Sequence, residues 1–239
     1  MAVLKLDTIQ RTMRLTPKAG LLALAPILLV SLFAGAKDNA TADMKPLMCK
    51  RGKLLFSDDL SEGPVSKNWR VAKGQWDIAD GALKGVELKA DNHAAAVRHA
   101  MDFHDGIFQF SFKLDGAKMT AFMLNRKGGH VCRVVINSSG FVLNKDGNPA
   151  KQEKAVALAT VKTSLTAGQW YTMLVEVQGS QILARIDDSH VGFGEHEGIN
   201  VDKNDFGMPV SGDSASFRSI RVWEALPNPS FNKQQFQHN

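Results

Sequence analysis

The clearest pattern along the chain is a period of two. Phe108, Phe110, Phe112 and Leu114 alternate with Gln109, Ser111 and Lys113. Such a stretch buries one face and wets the other, as a half-buried β-strand does. Tyr171, Met173, Val175 and Val177 repeat the pattern against Thr172, Leu174 and Glu176. Between Gly74 and Gly85 the run GQWDIADGALKG holds two short alternations joined by Asp80-Gly81. That dipeptide suits a two-residue hairpin turn, whose central positions need positive φ. Further strands are predicted over 53–56, 69–71, 119–124, 131–137, 141–145, 182–186, 191–193 and 217–223, separated by Gly, Asn, Asp and Ser. Residues 91–99 read as a loop running into extended chain, and 151–165 as a loop plus a strand. No stretch carries a convincing helical stripe. About a dozen short strands with regular turn signals predict an all-β sandwich or barrel. No internal repeat points to a propeller or solenoid.

The first residues read differently. Lys5, Arg11, Arg14 and Lys18 precede an apolar run from Leu21 to Phe33, and Ala34-Gly35-Ala36 follows. A charged region, a short hydrophobic region and a small-x-small site are the layout of a secretory signal peptide. The run is 13 residues long, against the roughly 20 that span a bilayer; an uncleaved anchor with a soluble tail is the alternative. The predicted organisation is a signal peptide at 1–36, a linker at 37–52, a β-sandwich at 53–226 and a polar tail at 227–239. Export to the periplasm or the cell exterior follows from the first of these, with no integral membrane domain once the signal is cleaved.

Charge changes with that division. Residues 1–36 hold four basic residues and one acidic residue, so the remainder has 25 basic and 23 acidic residues and a net charge of +2 rather than +5. No basic run or aromatic-basic interleaving marks a nucleic-acid surface, and that class is excluded. About 200 residues remain, enough for one domain with a full core and no need of disulfide staples. The two cysteines, Cys49 and Cys132, fit either an exported disulfide or a buried free thiol in a strand.

Phe56-x-Asp58-Asp59, Trp69, Gly74-x-Trp76 and Asp80-Gly81-Ala82-Leu83-x-Gly85 together resemble the opening of concanavalin A-like domains. Within that superfamily the chain is similar to the family of 3-keto-disaccharide hydrolase-type domains. Gly168-x-Trp170 and Phe217-Arg218-Ser219-Ile220-Arg221-Val222 resemble that family's later strands, and the likeness runs from about Lys53 to Leu226. The resemblance implies a jelly-roll sandwich of two curved antiparallel sheets whose concave face takes a saccharide or glycan. It also implies hydrolysis of glycosides or 3-keto-disaccharides; a structural cell-surface module without sugar chemistry is the alternative, since one fold hosts many functions. The Glu-x-Asp-x-x-Glu strand of laminarinase-type glycosidases is absent. So is any same-face carboxylate pair on one strand of the kind a retaining glycosidase uses, about 5 Å apart.

Candidate chemistry therefore falls on other polar residues. Asp91-Asn92-His93 with Arg98 interrupts an apolar region as a ligand loop would. The Asn-Ser-Gly-Ile-like strand that the resemblance leads one to expect has no clear copy; Phe122-Met123-Leu124-Asn125-Arg126 stands roughly in its place, and His130 opens the next strand beside Gly128-Gly129. Simple alternation puts His130 and Cys132 on one face and Arg133 on the other. Glu195-His196-Glu197 offers acids beside an imidazole for proton transfer. His93, Arg98, Asn125, His130, Arg133, Glu195 and His196 are the predicted ligand-binding candidates. No zinc-ligand spacing occurs. The oxygen-rich run Asp202-Lys203-Asn204-Asp205 suits calcium in ligand type, though not in EF-hand spacing. Trp69, Trp76, Trp170 and Trp223 fit core packing, which leaves no aromatic platform in view.

Overall fold

The structure is a computed structural model that describes residues 43–236 apart from Pro64 and Ser66. The predicted signal peptide lies outside the described residues. Thirteen antiparallel strands follow in order: β1 Cys49–Asp58, β2 Trp69–Lys73, β3 Gln75–Ala79, β4 Ala82–Val86, β5 Ala95–Phe103, β6 Gly106–Arg126, β7 Gly129–Asn137, β8 Gly140–Lys145, β9 Val156–Lys162, β10 Trp170–Gln178, β11 Gln181–Arg185, β12 Val191–Glu195 and β13 Lys203–Pro227. The hairpin from β3 to β4 forms as its sequence predicts, with Asp80 at φ 52° and Gly81 at φ 70°.

Two long strands organise everything else. The predicted strands at 108–114 and 119–124 are one strand, β6, and 217–223 is only the end of β13. β6 and β13 pair with each other from Asp205↔Asn125 to Trp223↔Ile107. Midway, the register slips around Gly212, and Gly116 and Gly212 adopt φ of +90° and +96°. A Cβ on Gly212 would lie 2.6 Å from the backbone nitrogen of Lys118, so only glycine serves at this corner. The bend turns the sheet back on itself. Phe110 and Phe122 lie twelve residues apart in β6, about 40 Å if the strand were straight, yet their rings stack with centroids 5.0 Å apart.

The bend defines two halves. In the first, β12-β11-β10 continue through the start of β6 and the end of β13, which also carries β1 and β4-β3. In the second, β2 and β5 flank the start of β13, followed by the end of β6 and then β7-β8-β9. The inward residues of both halves, among them Phe108, Phe112, Phe122, Leu124, Phe206, Met208 and Val134, form one core. One continuous sheet folded on itself thus makes both layers, where the alternation left sandwich or barrel open and the resemblance implied two separate sheets. His99 is buried in it between Phe56, Trp69 and Phe206, with neither ring nitrogen hydrogen-bonded among the described residues.

The outer face of the first half carries a second apolar cluster. Ile107, Leu174, Leu183 and Trp223 project from it, and Met48, Cys49, Phe231 and Phe236 cover them. The Glu176 carboxylate, buried within the cluster, accepts the backbone N–H groups of Leu47, Met48 and Cys49 at 2.7–2.9 Å. This corrects two sequence boundaries. The linker predicted at 37–52 already contains packed chain from Met44 onward, and the sheet begins at Cys49 rather than Lys53. The polar tail predicted at 227–239 packs Phe231 and Phe236 and joins Lys233 to Glu195 at 2.7 Å; residues 237–239 lie outside the described chain. Both segments are polar on average, but each carries a few apolar side chains that meet a bare sheet face. Cys49 sits in this outer cluster and Cys132 in the core, both as free thiols, and burial pushes each up to about 12.

Candidate functional site

Among the described residues nothing covers the outer face of the second half where β5, β13, β6 and β7 meet. Alternation decides what it shows. Val97 and His99 point inward on β5, so Ala96 and Arg98 point out; Phe206, Met208 and Val210 point inward on β13, so Asp205, Gly207 and Pro209 point out. On β6 the outward residues are Met119, Ala121, Met123 and Asn125. These meet at a cavity of about 260 Å³. Its floor is made of Ala96, Ala121, Met123 and Pro209, and its ionisable lining is His93, Arg98, His130 and Arg133. Small residues make the depression. A Cβ on Gly207 would stand 2.6 Å from the Val97 carbonyl and 2.9 Å from the methyl of Met123.

His130 reaches this face through a fault in the strand. Leu124 pairs with Cys132 but Asn125 pairs with His130, so Val131 is an extra residue on β7. Val131 and Cys132 both point into the core, and His130 emerges beside Arg133. Alternation alone put His130 with Cys132 and against Arg133; the bulge reverses that, which is what bulges do to side-chain direction.

A hydrogen-bond chain then fixes the imidazole. The carboxylate of Asp205 only accepts, so the Asn125 amide turns its nitrogen to Asp205 Oδ1 and its oxygen to His130. His130 Nδ1 therefore donates to Asn125 Oδ1, at 2.5 Å. In the neutral ring this leaves the lone pair on Nε2, for which no protein partner occurs among the described residues. The surroundings favour the neutral ring. Burial lowers the His130 pKa most, followed by Arg133; Asp146 opposes, then Arg98 lowers it again, and Asp205 opposes least.

The two guanidinium groups differ in how they are held. Arg133 donates from Nε and Nη2 to the Asp146 carboxylate at 3.0 and 2.6 Å, which leaves its other edge uncommitted. Arg98 has only an ion contact, Nη1 to Asp205 at 3.9 Å, and its buried Nε has no partner among the described residues. In both pairs the acid is the deeper partner: Asp205 and Asp146 side chains are 13 % and 10 % exposed, Arg98 and Arg133 28 % and 29 %.

Four of the seven predicted candidates, His93, Arg98, His130 and Arg133, thus line one cavity, and Asn125 stands behind it holding His130. Glu195 and His196 do not line it. Glu195 pairs with Lys233, which lowers its pKa first among several hydrogen bonds, and His196 Nδ1 accepts the Gly198 N–H to cap a short turn. No carboxylate lines the cavity, so it offers no acid pair. The calcium-like run splits as well. Asp202 bonds His104 at 2.7 Å, Asp205 serves Asn125, and between them the buried Lys203 ammonium holds the carbonyls of His104 and Val201. Among the described residues no three His, Cys, Asp or Glu side chains gather as metal ligands. No described helix is long and apolar enough to cross a membrane.

Sequence reasoning missed Asp146 and the floor residues, and saw Asp205 only as a calcium ligand. The alternation of Phe206, Met208 and Val210 was the signal that places Asp205 and Pro209 on the opposite face. Three tryptophans are buried as expected, but Trp170 is half-buried, under the Arg218 guanidinium at 4.0 Å, and lines a separate polar hollow of about 370 Å³ with Lys84, Lys113 and Asp115.

No family model matches the chain, and no curated protein matches it. Solved structures do. The carbohydrate-binding module CBM66 from Bacillus subtilis is 17 % identical with a TM-score of 0.55, over 66 % of this chain and 96 % of that one. A protein of unknown function with a galectin-like fold, also from Bacillus subtilis, gives 13 % identity and a TM-score of 0.58 over 76 % and 100 %. The β-glucanase of Bacillus licheniformis gives 12 % and 0.54 over 72 % and 99 %. At 12 to 17 % identity what this chain has in common with these proteins is their fold, an antiparallel β-sandwich of the galectin-like and glucanase kind.

Proposed function

We propose that the chain is an exported saccharide-binding β-sandwich whose ligand sits in the cavity between Arg98, His130 and Arg133. The observation that carries this reading is the convergence itself. Residues from four strands, β5, β6, β7 and β13, make one outer face that no described segment covers, hollow and rich in hydrogen-bond donors over an apolar floor. Small-ligand sites have that composition, a mostly apolar hollow with a few placed polar groups. The solved structures with the same fold include a carbohydrate-binding module and a β-glucanase, which fits a sugar ligand. Titration calorimetry of the full chain against a panel of oligosaccharides tests it. Binding that disappears in Ala121→Trp, with the melting temperature kept, supports the site; no heat from any sugar at millimolar concentration rejects it.

A catalytic reading has one observation behind it. The Asp205–Asn125–His130 chain presents a neutral imidazole with a free lone pair, the form a general base needs. With the resemblance stated above, this points to action on a glycoside or a 3-keto-disaccharide. Release of monosaccharide from a 3-keto-disaccharide, abolished in His130→Gln, supports that reading; no release by pure protein removes it.

A further inference from the structure

We propose that the saccharide recognised at this cavity is acidic, bearing a carboxylate or sulfate group that docks on Arg98 and Arg133. The inference rests on the saccharide reading of the same site and adds the ligand's charge.

The lining argues for it first. All four ionisable side chains that line the cavity are arginine or histidine. A neutral sugar is ordinarily held by an aromatic plate against its ring and by acceptors for its hydroxyl protons. This cavity has neither a Trp, Tyr or Phe nor a carboxylate in its lining. It offers donors over alanine, methionine and proline, which is the chemistry of an acceptor-rich anion attached to an apolar-edged ring.

The state of the two arginines argues for it second. A guanidinium has five N–H donors. Arg98 spends none on a hydrogen bond among the described residues, and its one ion contact is at 3.9 Å. Arg133 spends one edge on Asp146 and keeps the other. A half-buried guanidinium with unspent donors is an incomplete arrangement, and a carboxylate or sulfate completes it bidentately. Asp205 and Asp146 do not cancel the field at the mouth, because they lie behind the arginines. At the His130 ring Arg133 acts more strongly than Asp146, and Arg98 more strongly than Asp205.

The test compares trigalacturonate, its full methyl ester, a sulfated galactan trisaccharide and neutral gluco- and galacto-oligosaccharides, each titrated into the full chain at low and high salt. An acidic sugar should bind at least about ten-fold more tightly than its neutral counterpart, by the scale of a charge-assisted hydrogen bond. The preference should shrink with added salt. It should fall in Arg98→Ala and Arg133→Ala and return partly in Arg98→Lys, which keeps the charge but loses the fork; Arg98→Lys also stands in should either alanine variant fail to fold. The carboxylate and sulfate arms identify which acid is read. Equal binding of trigalacturonate and its ester, with neither sulfate nor salt having an effect, overturns the acidic ligand and leaves the saccharide reading standing. Binding of no sugar in the panel overturns both.

Discussion

The two halves of the sandwich turn their inner faces to one core but treat their outer faces in opposite ways. The first half exposes Ile107, Leu174, Leu183 and Trp223 and then covers them with chain from both ends of the fold. The second half carries alanine, methionine, proline and arginines at the equivalent layer, and no described segment covers them. An outer face of Ile, Leu and Trp has to be buried; a face that interleaves alanine, methionine and proline with arginine and histidine does not. The difference separates a face that serves stability from one free to bind, and it makes the two experimentally separable.

The largest expected effect lies under the cover. Removing the carboxylate in Glu176→Ala strands the N–H groups of Leu47, Met48 and Cys49 without their acceptor. Unsatisfied buried donors cost about 1–3 kcal/mol each, so chemical denaturation should register a loss on the order of 3 kcal/mol or more. Sugar affinity of the protein that remains folded should not move. If it moves in parallel with stability, the faces are not independent.

Gly207→Ala probes the open face with a smaller perturbation. The added methyl meets the Val97 carbonyl, Met123 and the stem of Arg98, and overpacking of this kind costs about 1–3 kcal/mol. Here affinity should fall as well, because Arg98 and Met123 must shift. Stability loss with unchanged affinity would place the ligand elsewhere on the molecule.

Acid should discriminate two histidines of the second half, the buried His99 and the half-buried His130. His99 is held below the ordinary histidine range by burial, with Asp58 opposing weakly. Its folded pKa is depressed relative to the unfolded chain, so its contribution to stability is present above the unfolded value and is lost as pH falls below about 6.5. His130 has the same sign. Denaturation midpoints between pH 7 and pH 5 should fall less steeply in His99→Phe, which suits the ring cage of Phe56, Trp69 and Phe206, while sugar binding persists. His130→Gln should also flatten the slope but weaken binding.

How much of this was legible beforehand follows from which interactions are local. The Asp80-Gly81 hairpin and the alternations at 108–114 and 171–177 are statements about neighbours in sequence, and they read directly. Gly116 and Gly212 make the corner only because β6 and β13 lie side by side, with Ala117 paired to Gly212 and Gly116 to Ser214, a long-range pairing that no local pattern encodes. The bulge at Val131 changed which face His130 occupies, and one extra residue leaves no trace in hydropathy. The covering segments failed for another reason. Their few apolar residues, Met48 and Phe231 among them, gain meaning only against a sheet face whose exposure was not itself predictable.

The finest probe of the comparison is the pair of thiols, one on each side of it. Cys49 lies in the cover and Cys132 in the shared core, and both are held near 12 by burial, so neither is a reactive thiolate at neutral pH. Ellman's reagent should label neither in the native protein. In Glu176→Ala the segment that carries Cys49 loses its three anchoring hydrogen bonds, while the strand that carries Cys132 keeps its partners on β6 and β8. Local opening then precedes global unfolding on one side only. Cys49 should become labelled at denaturant concentrations that leave Cys132 protected, a difference read by mass spectrometry of the two peptides. Simultaneous labelling would mean that the cover and the core open as one unit, and that the outer layer is part of the fold's cooperative centre rather than a lid laid over it.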